Sequence, residues 1–277
     1  MLAVSAVDLG WMPFDQYLAI DAVNWSALKN LRRSPLHFQY GLTHPIEDTS
    51  TLALGRACHT AVLEPDRFPL EYVVFEGARR AGKAWDAFAE ANSTRTILKT
   101  DEYENVLAIR DAVHRHPTAM KYLVGGVAEH TVTWTETING VEVKCKARPD
   151  YRAAAIADLK TTKDAGPGAF GRTAARFGYH CQLSWYRRGV RAVTGRESDV
   201  YLIAAENEGP HDVVVHRVTD DALWAADEDI NELLVLLASC KRANHWPGVA
   251  EEETDLQLPT WALSSDENEE LTAEVIE

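Results

Sequence analysis

Arg148-Pro149-Asp150, followed after seven residues by Asp158-Leu159-Lys160, is the stretch on which the reading of this chain turns. From Val141 to Ala147 the residues alternate. Val141, Val143, Cys145 and Ala147 share one face, and Glu142, Lys144, Lys146 and Arg148 the other, the period of a half-buried strand. Pro149 lacks an amide donor and ends the run. The next run, Ala153 to Lys160, is uncharged until Asp158 and predicts a second, more buried strand. Residues two apart on a strand share a face, so Asp158 and Lys160 project together while Leu159 packs on the other side. A hairpin across Tyr151 and Arg152 would bring Asp150 and Asp158 together near one end of the sheet.

Two carboxylates at one point repel and are costly to desolvate unless a cation lies between them, and oxygen-rich coordination of Mg2+ or Mn2+ is the natural compensation. Lys160 would then position or deprotonate a water, or stabilise charge on a phosphate. That chemistry points to phosphodiester cleavage. A purely structural ion pair between Asp158 and Lys160 is the competing reading of the same residues.

The pattern Pro149-Asp150, a gap, then Asp158-x-Lys160 resembles the signature of the PD-(D/E)XK nuclease superfamily, with Asp158 where Glu is commoner. The surrounding text resembles RecE-type exonucleases, the family of the exonuclease VIII nuclease domain, in a phage or prophage form. Leu54 to Pro65 (Leu-Gly-Arg-Ala-Cys-His-Thr-Ala-Val-Leu-Glu-Pro) is similar to their His-bearing helix, and Tyr179 to Tyr186 (Tyr-His-Cys-Gln-Leu-Ser-Trp-Tyr) to their glutamine and tyrosine motif. Asn24-Trp25-Ser26-Ala27-Leu28, Gly82-Lys83-Ala84-Trp85 and Asp158-Leu159-Lys160-Thr161-Thr162 carry it further, so that it covers most of residues 20 to 262.

What the resemblance implies is an α/β fold of restriction-endonuclease type that holds Mg2+, with Mn2+ as the alternative ion. His59, Asp150, Asp158 and the Leu159 backbone carbonyl become the expected metal ligands, and Lys160 the catalytic lysine. Gln182 and Tyr186 line the site; four apart on a helix, they share a face. His59 in its small-residue helix also fits an ordinary packed histidine, Glu129 is placed at the edge of the site, and His180 as support or DNA contact. Arg79, Arg80, Lys83, Trp85, Thr161, Tyr179 and Arg187 are the candidate DNA contacts. The resemblance further implies linear double-stranded DNA degraded 5′ to 3′, a ring-shaped homo-oligomer, a RecT-like single-strand annealing partner and a bacterial or phage-infected cell. An endonuclease, another RecB-like nuclease of a phage process and a catalytically silent DNA-binding protein are the competing classes.

A chain of 277 residues with 46% hydrophobic content can bury one large core. We expect a single nuclease domain over 1–262, with a helical part at about 20–120 and a catalytic core at about 128–245. An acidic, poorly ordered tail is expected over 263–277. The net charge of -14 runs against DNA binding until it is localised: residues 250–277 hold ten acidic and no basic residues, which leaves the rest at only -4. Basic residues gather at Lys29, Arg32 and Arg33, at Arg79, Arg80 and Lys83, and at Arg172, Arg176, Arg187, Arg188 and Arg191, where they can neutralise phosphates. Trp25 and Trp85 suit core packing or stacking on an unpaired base.

Residues 1–14 lack a secretory pattern and no apolar run reaches membrane-spanning length, so a cytoplasmic protein without a membrane partner is expected. Cys58, Cys145, Cys181 and Cys240 are far apart, at neither zinc nor redox spacing, which favours reduced thiols. Only Cys240 lies where iron-sulfur nucleases of the RecB-like type cluster three cysteines, so no such cluster is expected.

Periodicity predicts helices at about 24–40, 51–63, 83–91, 101–115, 168–193 and 220–241. Strands are expected at 130–136, 141–148, 153–160, 199–205 and 212–218, the first three forming a meander with Asn139-Gly140 as its first turn. Together these give one mixed β-sheet flanked by helices behind a helical N-terminal layer.

Overall fold

The computed structural model describes residues 5–44, 49–77 and 79–263. The acidic stretch 264–277 falls outside these residues, and with it the expectation of a disordered tail. The chain opens with a strand and a short helix that periodicity did not reveal, β1 (Ala6–Trp11) and α1 (Phe14–Ala19). The single helix expected over 24–40 is divided into α2 (Trp25–Leu28), a 3-10 turn (Lys29–Arg32) and α3 (Pro35–Thr43). Pro35 occupies the first turn of α3 and drives Ser34 into extended backbone, from which the Ser34 hydroxyl accepts the His37 amide proton.

The helical layer continues with α4 (Ser50–Leu63), α5 (Phe68–Glu71), β2 (Tyr72–Phe75), α6 (Lys83–Ala91), β3 (Thr96–Lys99), α7 (Thr100–Arg115) and α8 (Pro117–Tyr122). Thr49 caps α4, its hydroxyl accepting from Leu52 N at 3.2 Å. β2 and β3 pair in parallel as a small ribbon, also unforeseen. The remaining elements are β4 (Val127–Ala128), β5 (His130–Ile138), β6 (Val141–Ala147), β7 (Tyr151–Arg152), β8 (Ile156–Thr162), α9 (Pro167–Phe177), α10 (Tyr179–Thr194), β9 (Val200–Glu206), β10 (Val213–Arg217), α11 (Asp220–Ala243) and α12 (Thr260–Leu263).

The expected meander is corrected by the sheets. β1, β5 and β6 form one antiparallel sheet, while β10, β9, β8, β7 and β4 form a second in which only β8 and β9 run parallel. Asn139 (φ 49°) and Gly140 (φ 79°) make the turn between β5 and β6, as their sequence demands. After Pro149, however, the chain leaves β6 for the other sheet, and the hairpin that joins β8 is the short β7, turning at residues 153–155 rather than across Tyr151 and Arg152. The helix expected over 168–193 is also two helices, because Gly178 adopts left-handed backbone (φ 70°) and ends α9.

The five-stranded sheet lies between two apolar layers. One is α4 and α7, where Ala57, Cys58, Ala61, Val106, Ile109 and Val113 are fully buried against Leu159 and Ile203, the larger side chains contributing about 1.5–3 kcal/mol each. The other joins α10 and α11 to the antiparallel sheet through Trp134, Trp185, Leu183, Ile230, Leu234 and Leu237. α10 comes so close that a Cβ on Gly189 would meet the Trp134 ring at 2.5 Å. No helix among the described residues is long and apolar enough to cross a membrane.

Candidate metal centre

The brevity of β7 creates the site. Its ladder with β8 ends at Tyr151↔Ala157, so the β8 edge beyond Ala157 has no strand beside it on that side. The Leu159 amide on this open edge donates to Asp150 Oδ2 at 2.9 Å, and the Leu159 carbonyl lies within hydrogen-bond reach of the His59 ring from α4. His59 Nδ1 is 3.3 Å from Asp150 Oδ2. Asp158 and Lys160 project together from β8, as alternation required, and form an ion pair. Asp158 is completely buried, and its Oδ1 receives no hydrogen bond.

Glu129, expected only at the edge, is brought inward. It holds left-handed backbone (φ 54°), a conformation that strains a non-glycine residue by about 1–2 kcal/mol, and its amide is held by the Asp150 carbonyl at 3.0 Å. The result is that one ligand atom from each of His59, Glu129 and Asp150 lies within 4.8 Å of the others. Arg148 joins Glu129 through Nε at 2.6 Å.

The electrostatics are those of crowded acids. Burial, then the Asp150 charge, pushes Glu129 up to about 8 in spite of Arg148. Burial and Asp150 likewise push Asp158 up to about 7, with Lys160 opposing. Burial works to lower the Lys160 pKa, but Asp158 and Asp150 carry it above its ordinary value, so its ammonium keeps its proton. Burial lowers the His59 pKa, and Asp150 and Lys160 act on it in opposite directions. The donor set fits a divalent cation: an imidazole, carboxylate oxygens, a carbonyl, and a buried carboxylate oxygen that no donor satisfies.

Gln182 and Tyr186 do share a face of α10, Nε2 donating to the Tyr186 hydroxyl at 2.7 Å. Tyr186 is buried, close enough to Asp158 and Asp150 that burial and both charges hold its pKa far above the usual range. The Tyr179 ring caps the Lys160 ammonium at 5.0 Å. Lys29, expected as one of a basic group with Arg32 and Arg33, also faces this cluster: burial, Arg32 and Lys160 lower its pKa.

The candidate DNA contacts are scattered by comparison. Arg79 and Lys83 are exposed, but Arg80 is engaged by the Ile97 carbonyl at 2.9 Å and by Glu102 at 2.6 Å. Trp85 packs edge-on to Phe75, 5.1 Å between centroids. Arg187 pairs with Glu197 at 2.9 Å, and Arg188 is held by Glu136 and Asn231, so these arginines are neutralised within the fold. Thr161 is half-buried in the β8–β9 ladder, and His180 is half-buried on α10. Trp25 is core, with Arg32 5.0 Å over its ring. All four cysteines are buried free thiols.

Fold and site place the chain in the restriction-endonuclease-like class, and the sequence matches the PDDEXK-like domain of unknown function (DUF3799) over residues 24–257. The chain belongs to that family. A crystal structure named "Putative exonuclease" from Eubacterium rectale shares the fold at a TM-score of 0.58 and 16% identity, covering 91% of this chain and 96% of that one. The crystal structure of SSO0001 aligns over 80% of this chain and 87% of its own, with 12% identity and a TM-score of 0.30, too low to bear on the fold. No curated protein matches the sequence.

Proposed function

We propose that the protein is a metal-dependent nuclease that hydrolyses linear double-stranded DNA from its ends. The observation that carries the metal-dependent nuclease reading is the convergence of His59, Glu129, Asp150 and Asp158 on the open edge of β8 beside a protonated Lys160, while the resemblance to RecE-type exonucleases supports linear duplex DNA attacked at its ends. With all three carboxylates ionised, as ligation of a divalent ion requires, the cluster with Arg148 and Lys160 is one charge negative without the ion and one positive with it, which suits a phosphodiester. His59, Glu129, Asp150, Asp158 and the Leu159 carbonyl are the groups that would hold Mg2+ or Mn2+. When bound there, such an ion supplies Lewis-acid polarisation of the phosphate and a lowered pKa for coordinated water.

The chain's own residues do the rest. Lys160 keeps its proton at Nζ, so it orients the attacking water and stabilises phosphate charge as a cation rather than serving as a base. Tyr179 shields that ammonium from solvent and so strengthens its field. The Gln182–Tyr186 pair, fixed by its mutual hydrogen bond, offers amide and hydroxyl groups for the scissile strand.

The resemblance to RecE-type exonucleases is what supports 5′ to 3′ polarity, a ring-shaped oligomer and a RecT-like annealing partner that receives the single strand. The experiment is digestion of end-labelled linear duplex beside a covalently closed circle, with and without Mg2+. Release of nucleotides from the linear DNA alone, dependent on Mg2+, is the expected result. Nicking of the circle would make the enzyme an endonuclease, and silence with both Mg2+ and Mn2+ would leave a DNA-binding protein.

A further inference from the structure

Residues 5–23 precede the family match, yet α1 within them packs beside Arg148, the partner of Glu129. Lys146, on β6, is 4% exposed, and its ammonium donates to the carbonyls of Tyr17 (2.9 Å), Leu18 (3.0 Å) and Ile20 (2.8 Å). Tyr17 O also accepts the Ile20 amide at 3.3 Å and Ile20 O the Ala22 amide at 2.8 Å, and the ammonium complements the negative end of this short helix. The same ammonium stands 4.8 Å from the Tyr17 ring. Tyr17 in turn stacks with Phe14 at 5.9 Å, and the Phe14 ring lies 5.7 Å from the Arg148 guanidinium. Arg148 has a side chain only 10% exposed, donates through Nε to Glu129 and has no partner for Nη1. A run of contacts therefore leads from Lys146 to a carboxylate of the metal centre.

We propose that this arm is a positioning element: Lys146 anchors α1, Phe14 and Tyr17 hold the Arg148 guanidinium against Glu129, and Glu129 is thereby aimed at His59 and Asp150. Phe14 is 55% exposed, so its ring contributes here through Tyr17 and Arg148 more than through burial. Over a guanidinium shielded from solvent, with Nη1 unpartnered, its ring face supplies a cation–π partner. Tyr17 is also electrostatically coupled to both Arg148 and Glu129. This inference rests on the metal-dependent reading of the same site.

The test measures Mn2+ affinity by electron paramagnetic resonance, without substrate, for wild type, Phe14→Ala, Phe14→Tyr, Lys146→Met, Glu129→Gln and the Phe14→Ala/Glu129→Gln double variant. Phe14→Ala and Lys146→Met are expected to weaken Mn2+ binding about tenfold, the usual loss when the partner that orients a ligand is removed. Phe14→Tyr, which keeps the ring, should bind as wild type does. Because the arm acts through Glu129, the double variant should bind no more weakly than Glu129→Gln alone. Wild-type affinity in both Phe14→Ala and Lys146→Met, or a Phe14→Ala loss that adds in full to that of Glu129→Gln, overturns the proposal. If wild type binds no Mn2+ and cleaves nothing, the metal reading falls and takes the arm with it; if wild type binds and the arm variants match it, the arm alone falls.

Discussion

Lys146 and Lys160 are buried lysines on two different sheets, and the fold treats them in opposite ways. Lys146 meets three neutral carbonyls, two of which also accept a backbone amide, and its ammonium is fully engaged by them. Lys160 meets Asp158, with Asp150 beyond, in a cluster where carboxyl pKa values are driven up and Asp158 Oδ1 is left without a donor. Buried polar groups in native proteins are normally paired, so a locally complete network reads as architecture and an incomplete one as a place awaiting a partner from outside the chain. Both lysines look alike in sequence; the difference lies in what surrounds them.

Substitution should separate the two regions. Lys160→Ala is expected to lower DNA cleavage by about 10²–10³-fold in single-turnover assays while the circular dichroism stays that of wild type. Lys146→Met should do the reverse. By taking the ammonium from the Leu18 carbonyl, and leaving Tyr17 O and Ile20 O with their backbone amides alone, it removes about 1–3 kcal/mol from urea-derived stability, yet holds cleavage at saturating Mn2+ within about tenfold. Equal losses of activity in the two variants would erase the distinction.

Metal should stabilise one region and not the other. At about a hundred times its Kd, Mn2+ adds about 2.7 kcal/mol to the wild-type unfolding free energy. The same increment is expected in Lys146→Met once Mn2+ is raised to the same multiple of that variant's own Kd, and none in Asp158→Ala, as read by thermal melts with and without the ion.

The pH dependence of the metal-free protein sharpens the contrast further. Asp158 at about 7 and Glu129 at about 8 stand above their ordinary 3.8 and 4.5, so over that interval the folded chain holds protons that the unfolded chain has released. Stability of the chelated protein must therefore fall as pH rises from about 4 to about 8. Urea midpoints should decline across this range, and saturating Mn2+ should flatten the slope. The smallest effect is expected on the exposed loop: Arg79→Ala and Lys83→Ala should each lessen the salt dependence of DNA binding by at most about one unit of slope and leave the cleavage rate unchanged.

Much of the centre was legible in sequence because strand alternation and helix spacing are local rules. They put Asp158 with Lys160 and Gln182 with Tyr186, and Asn139-Gly140 announced its own turn. What escaped was set by non-local partners. Pro149 shows where a strand must stop but not that the chain then changes sheets, and the missing stretch of β7 that opens the Leu159 edge has no signature of its own. Lys146 broke the polar alternation of β6 because α1 supplied carbonyls from about 130 residues away. The left-handed Glu129 and the arm carrying Phe14 and Tyr17 were hidden for the same reason, since their roles exist only once distant segments meet. Gly178 and Ser34-Pro35, by contrast, are local breakers whose force was outweighed by the apolar periodicity on either side.

The most direct test of the central claim is anomalous diffraction from crystals of the full chain soaked in Mn2+. A manganese peak ligated by His59, Asp150 and Asp158, with Glu129 turned towards it, is the predicted result; a clean map at that position in a crystal that binds Mn2+ elsewhere would contradict it.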